Sequence, residues 1–435
     1  MLTKDKAQEI IRQVTSYTDY YATVVIDSSS RETTRFANSQ ISQNVSIKDT
    51  TVSLTVHDGK KEASAATNVL SPEGLKELAQ NAGAMLKIVP EGEFEAFPFS
   101  SEPVEDVDSD GKLARAYNIE ARAGIIKEGL TRIKPQYTAA GALCLNKRAV
   151  AVGNSDTLRY AAFDQVEFNT VVTHDSGAAG GAEASFYSSG EVDGGLFEKA
   201  QETASRSHDP VSLELGPHTV VLSSQAVGDL MDFVGWMLCA KAVEDGASFA
   251  VGKLNSQVFG KNISLSDNSF EPGLRPLHFD MEGNPRRSLS LIENGVVSSL
   301  LYCNKTAARM DAKITGHAVS NKGHGGYPYN LVMEGGSQSL DEIIAGTDKG
   351  IFINEFHYTN LINPRTLQVT GLTRNGAYLI NGGKLGPAIG TTRFTQGLIT
   401  ALSAVTAISK ERKIISGSGL MPGMRIEGFC FTSNS

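Results

Sequence analysis

Phe279-Asp280-Met281-Glu282-Gly283-Asn284-Pro285-Arg286-Arg287-Ser288-Leu289-Ser290-Leu291-Ile292-Glu293-Asn294-Gly295-Val296-Val297-Ser298-Ser299-Leu300-Leu301-Tyr302-Cys303-Asn304-Lys305-Thr306-Ala307-Ala308-Arg309-Met310 carries a β-hairpin signal at its centre. Apolar runs flank Glu293-Asn294-Gly295, and Asn and Gly tolerate the positive φ that a tight hairpin demands. Residues 376–390, GAYLINGGKLGPAIG, repeat the device at Asn381-Gly382-Gly383. Two hairpins on one pattern predict a large antiparallel sheet in the C-terminal half. Upstream of both, HTVVLSS (218–224) reads as a buried strand, and SQAVGDLMDFVGWMLCAKAV (224–243) as a strongly apolar helix.

Toward the N-terminus, Ile10, Ile11 and Val14 are spaced as on a helix, and YYATVVID, QNVSIKD and TVSLTVHD follow as three strand-like runs. Ser71-Pro72-Glu73 opens another helix, with Ser71 as cap and Leu75, Leu78, Ala79 and Ala82 as its apolar stripe. Pro90, Pro98 and Pro103, set among acidic residues that include Asp108 and Asp110, mark the segment up to Gly111 as a surface linker. Beyond it come one helical stretch over about 112–134, the strand-like VEFNTVVTHD and AEASFYSSGEVD, and a helix near Leu196–Ser207. The expected class is α+β. A small N-terminal α/β domain spans 1–95, a mixed α+β middle domain 105–210, and a large β-rich third domain 211–435.

A chain of 435 residues with 40% hydrophobic and 20% charged residues has ample material for several cores. Its net charge of −8 offers no field for a phosphate backbone, so direct nucleic-acid binding is not expected. No run approaches the roughly 20 apolar residues of a membrane span, and the amphipathic N-terminus lacks a signal-peptide pattern; a cytoplasmic protein is expected. Cys144, Cys239, Cys303 and Cys430 lie too far apart for a zinc-binding spacing and read as free thiols.

Taken in order along the chain, several stretches resemble the TldD/PmbA family of protease-related proteins. They are FANSQI (36–41) with the following TVSLTVHDGKKEASAATN, VGNS (152–155), LELGPHTVVLSSQAVGDLMD (213–232), GASFAVGKLNSQVFGKNISLSDN (246–268), residues 279–310 above, and LQVTGLTRNGAYLINGGKLGPAI (367–389). The resemblance implies paired subunits acting on short or unfolded peptides in the cytosol. One subunit carries a zinc-binding HExxxH motif on the first helix of the third domain, and its PmbA-like partner lacks it. The older family label "modulator of DNA gyrase" has no counterpart in the residues.

Set against that motif, Met231 and Trp236 fall at the histidine positions and Asp232 at the glutamate. None of the eight histidines is followed by Glu, a thioether is a poor zinc ligand, and indole offers no lone pair. No zinc of the chain's own and no other cofactor are therefore expected. The resemblance implies a non-catalytic subunit whose partner is a TldD-like protein or a second copy, with Met231, Asp232 and Trp236 lining the cleft. The alternatives are a peptidase active through a site other than HExxxH, and a homodimeric peptide-binding protein with no protease role. On a regular helix, positions 231 and 236 lie about 140° apart, so a metal held by both would need the helix to end or distort there. His317 and His324, flanking a glycine-rich loop, and His357 are the remaining candidate ligands, with turn and surface roles the simpler reading. Asp280 and Glu282 form a carboxylate pair that reads as an acidic hairpin at the surface.

Overall fold

The computed structural model describes residues 2–187, 190–320 and 325–434. Two sheets organise it. The first has the strands β1 (Tyr21–Ala37), β2 (Gln40–Asp58), β3 (Lys61–Thr67), β4 (Tyr137–Gly153), β5 (Leu158–His174) and β6 (Ala179–Phe186) in the order β3-β2-β1-β4-β5-β6, all antiparallel. On it pack the helices α1 (Lys4–Thr15), α2 (Pro72–Ile88), α3 (Lys112–Ala116), α4 (Ile119–Thr131) and α5 (Gly195–Arg206).

Local sequence explains the helices. Thr3 and Ser71 cap α1 and α2 by accepting from Lys6 N and Gly74 N, and the stripe Leu75, Leu78, Ala79, Ala82 is buried against the sheet. The stretch 112–134 is broken rather than continuous. Asn118 starts α4 by accepting from Ala121 N at 2.9 Å, and the buried Arg122 donates to Tyr117 O at 2.6 Å, fixing the break. QNVSIKD and TVSLTVHD are one strand of 19 residues, because β1 pairs with β2 across the polar stretch between them. Pairing of β1 with β4 carries this sheet across the segment 90–111.

The second sheet is built from β7 (Gly216–Leu222), β8 (Leu265–Asp267), β9 (Leu289–Glu293), β10 (Val296–Val297), β11 (Leu331–Met333), β12 (Lys349–Asn363), β13 (Gln368–Asn381), β14 (Lys384–Ala388), β15 (Thr392–Gly397), β16 (Val405–Ile415) and β17 (Gly419–Asn434). Between them lie α6 (Ser224–Met237), α7 (Ala240–Glu244), α8 (Asn304–Arg309), α9 (Leu340–Ala345) and α10 (Leu398–Ser403). Most pairs are antiparallel; β7 with β12 and β11 with β17 are parallel. Because β7 pairs with both β12 and β17, the path β17-β15-β13-β12-β7 closes on itself. Both expected hairpins form, with Asn294, Gly295, Gly382 and Gly383 at positive φ. The class is α+β with a large, mainly antiparallel C-terminal sheet.

Candidate functional site

Helix α6 packs at the centre of the second sheet's core. Ser223 caps it, accepting from Gln225 N and Ala226 N at 3.1 and 3.3 Å. Gly228 and Gly235 let it press onto the sheet: a Cβ at either would sit 2.8 Å from Ile415 Cγ2 or 2.6 Å from Leu331 Cδ1. Ala226, Val227, Leu230, Met231, Val234 and Met237 enter the core. What stays outside is one stripe at helical spacing, Gln225, Asp229, Asp232, Phe233 and Trp236.

The structure therefore separates the three residues that the resemblance grouped. Asp232 and Trp236 share the open stripe, Trp236 being 36% exposed, whereas Met231 is 0% exposed within the core and lines no cleft. The reason is helical phase: α6 runs on to Met237 and its last turn closes through Leu238 N to Gly235 O, so nothing swings position 231 toward 236. Asp232 keeps an exposed surface, yet desolvation raises its pKa. It also raises the pKa of Tyr327, after burial, so the phenol stands close by.

One turn back along the same face, Asp229 accepts from Phe356 N at 2.9 Å and from Gln225 Nε2 at 3.1 Å. Burial, helped by Glu355, pushes its pKa up to about 7. Glu183, from β6, is pushed up to about 7 by burial and by Glu355 as well. Glu355 accepts from Asn375 Nδ2 at 2.9 Å. Lys199, its pKa lowered by burial and Lys413, lines with Glu183, Glu355 and Gln225 a cavity of about 160 Å³ between the two sheets. Carboxyls titrating near neutrality can hold, donate or accept a proton. Only Asp229 was within reach of sequence reasoning, through its three-residue offset from Asp232 on a helix; Glu183 and Glu355 come from remote strands.

The remaining candidates take other roles. His317 is fully buried, its Nε2 3.2 Å from Asp267 Oδ1 though not aligned as a hydrogen bond, beside the ion-paired Arg286. Burial alone would raise the Asp267 pKa, but Arg286 and His317 hold it well below the usual carboxylate range. His357 lies on β12 against Arg374 and the Tyr358 ring. His324 is outside the described residues. Among the described residues, no group of three or more His, Cys, Asp or Glu is arranged to hold a metal ion.

Asp280 and Glu282 are not a surface hairpin. Asp280 is 0% exposed, accepting from the backbone N–H of Glu282, Asn284 and Ala318 at 2.9, 2.9 and 3.0 Å, so its carboxyl ties a loop together from inside, while burial pushes its pKa up. That loop helps roof a cleft over the face of the first sheet that α1 and α2 leave uncovered. Leu277, Phe279, Met281 and Tyr329 pack there on Val150, Val152 and Phe163. Cavities of about 340 and 550 Å³ share Val25, Ser53 and Ser320, and so form one groove between the first sheet and the segments around 275–282 and 303–320. Cys144, Cys239 and Cys303 are buried and Cys430 is partly buried, all as free thiols. Among the described residues no helix is long and apolar enough to cross a membrane.

Comparison with known proteins gives matches to two family models: the PmbA/TldA metallopeptidase C-terminal domain over residues 216–433, and PmbA/TldA metallopeptidase domain 1 over residues 22–86. An uncharacterized protein of Methanocaldococcus jannaschii is 30% identical over 169 residues, 38% of this chain and 39% of the relative, so the matched stretch spans well under two thirds of that protein. A metalloprotease of Archaeoglobus fulgidus is 21% identical over 75% of this chain and 72% of its own length. The crystal structure of TldE from Thermococcus kodakarensis shares the fold with a TM-score of 0.84 at 19% identity, covering 98% of this chain and 100% of that one. A protein of Bacteroides thetaiotaomicron, described as a proposed modulator of DNA gyrase, does so with a TM-score of 0.85 at 20% identity, both chains being fully covered.

Proposed function

Since this chain belongs to the PmbA/TldA metallopeptidase family, we propose that it is the non-catalytic subunit of a cytosolic metallopeptidase complex, holding a short or unfolded peptide for a zinc-bearing TldD-like partner. The observation that carries the reading is the outer stripe of α6. It presents Gln225, Asp229, Asp232, Phe233 and Trp236, with no imidazole, on the helix where the family's active subunit bears its zinc motif. The groove formed by the two joined cavities, with apolar residues such as Val25, Phe163 and Met281 among many polar and charged ones, supplies room for an extended peptide. What chemistry zinc would supply belongs to the partner: polarising a peptide carbonyl and generating hydroxide near neutral pH. This chain's share is to bind and orient the peptide.

Co-expression with an HExxxH-bearing homologue tests the reading. A stable complex that cleaves an unfolded peptide, while this chain alone does not, is the expected result. The cluster of Asp229, Glu355 and Glu183 favours one second reading, metal-free acid–base hydrolysis by this chain itself. Cleavage by the isolated chain in the presence of a chelator, abolished by Asp229→Asn, would establish that reading and end the first.

A further inference from the structure

The larger of the two joined cavities is lined by four cations, Arg31, Lys147, Arg148 and Arg275, against two carboxylates, Asp27 and Asp49. Three of the cations are already matched. Arg148 grips Asp27 with two hydrogen bonds of 2.9 and 2.5 Å, Lys147 meets Glu32 at 2.5 Å, and Arg31 stands 3.5 Å from Glu167. Arg275 has no carboxylate among the described residues. Its Nε donates to Tyr187 Oη at 3.2 Å and its guanidinium lies 5.9 Å from the centre of the Tyr329 ring, and neither terminal nitrogen has a hydrogen-bond partner among the described residues.

We propose that Arg275 forms a carboxylate-binding subsite in the groove between the first sheet and the segments around 275–282 and 303–320, recognising an acidic group on an extended peptide. The proposal rests on the peptide-binding reading above. A guanidinium offers two parallel N–H donors that match the fork of a carboxylate. Tyr187 orients the guanidinium through Nε, and its hydroxyl, having accepted that bond, retains its own proton to donate. Asp27 and Asp49 on the same walls oppose a dianion such as phosphate, so a singly charged carboxylate is the better fit. Its source is either the C-terminus of the peptide or an Asp or Glu side chain.

Fluorescence anisotropy with three labelled, unstructured Gly/Ser/Ala/Leu peptides separates the sources: one with a free C-terminal carboxylate, one amidated, and one amidated with a single internal Glu. The full-length chain should bind at least one acid-bearing peptide about tenfold more tightly than the neutral amide. A gain by the free acid alone assigns the C-terminus, and a gain by the Glu peptide assigns side chains. Arg275→Gln should reduce binding of the acidic peptides to the level of the neutral one without weakening the neutral one. Arg275→Lys, which keeps the charge but not the fork, should fall between. Equal binding of all three peptides by the wild type, or a preference that survives in Arg275→Gln, would overturn the subsite and leave peptide binding standing. Should no peptide bind, the functional reading itself fails, and the subsite with it.

Discussion

Asp229→Asn should stabilise this protein at alkaline pH and leave it unchanged in acid. In the folded chain Asp229 ionises at about 7, whereas in the unfolded chain it ionises near the ordinary value of about 4. Between those limits the folded state holds a proton that the unfolded state has released, so stability falls as pH rises through that window and levels off above it. Three pH units at about 1.4 kcal/mol each set a ceiling of about 4 kcal/mol. Asp229 is only partly buried and keeps two hydrogen bonds, so about 1–2 kcal/mol is the working magnitude. The introduced amide oxygen can go on accepting from Phe356 N. Its amide nitrogen can donate to Gln225 Oε1, which is buried and has no partner among the described residues, once the Gln225 amide turns over. Thermal melts at pH 4.5 and pH 8 read the difference, with a gain of roughly 1–2 °C for the variant expected at pH 8 only. A variant less stable than wild type by the same amount at both pH values would refute the reasoning, showing that the hydrogen bonds outweigh the cost of burying the charge.

Three further outcomes follow from the geometry. The variant carrying Met231→His, Asp232→Glu and Trp236→His should bind no zinc in calorimetry and should melt lower by about 2–4 kcal/mol, because position 231 lies in the core; one tightly bound zinc per chain would show that α6 can distort to bring 231 and 236 together. We propose the division into 1–95, 105–210 and 211–435. Limited proteolysis should cut first between Pro90 and Gly111, the two pieces remaining together in size exclusion through the β1–β4 pairing, and preferred cutting within 215–300 would sink the division. Gly295→Ala should cost clearly more stability than Gly382→Ala: both residues have positive φ, but a Cβ at 295 would sit 2.3 Å from Phe259 O, while one at 382 meets nothing within 4 Å. Equal melting shifts for the two would contradict that account.

How legible each feature was depended on the range of the interaction behind it. The hairpins at Asn294-Gly295 and Asn381-Gly382-Gly383 and the Ser71 cap are settled within a few residues, so local chemistry gives them away. The outward stripe of α6 was legible too, since helical phase puts Asp229, Asp232 and Trp236 on one side. Matching the helix to a motif instead of to its own phase is what put Met231 into the cleft. Glu183, Glu355 and Arg275 carry no such local mark. They become functional candidates only where β6 packs against the second sheet, bringing Glu183 and Glu355 to one cavity, or where Tyr187 meets Arg275, and long-range packing decides both.

Asp280 shows why a charge in a sequence is poor evidence of a surface, and the point extends to the whole stretch that first revealed the hairpin. Asp280, Asn284, Arg286, Asn304 and Thr306 all fall within 279–310, and all are buried. Asn284 Nδ2 donates to Asn304 Oδ1 at 3.0 Å and to Asp280 Oδ2 at 3.3 Å, and Arg286 donates to Leu277 O at 3.0 Å while pairing with Asp267. Buried polar groups of this kind cost free energy unless every partner is in place, so they tie this stretch to one backbone path. That path carries Met281, Glu282, Asn304 and Arg309 to the wall of the groove facing Thr23, Val25 and His57. Asp267 binds the far end of the same network, accepting from Tyr329 N and Asn330 N at 2.6 and 2.8 Å. Tyr329 is the ring over which both Arg275 and Arg286 lie. One internal polar frame therefore sets the roof of the groove and the position of the guanidinium inside it.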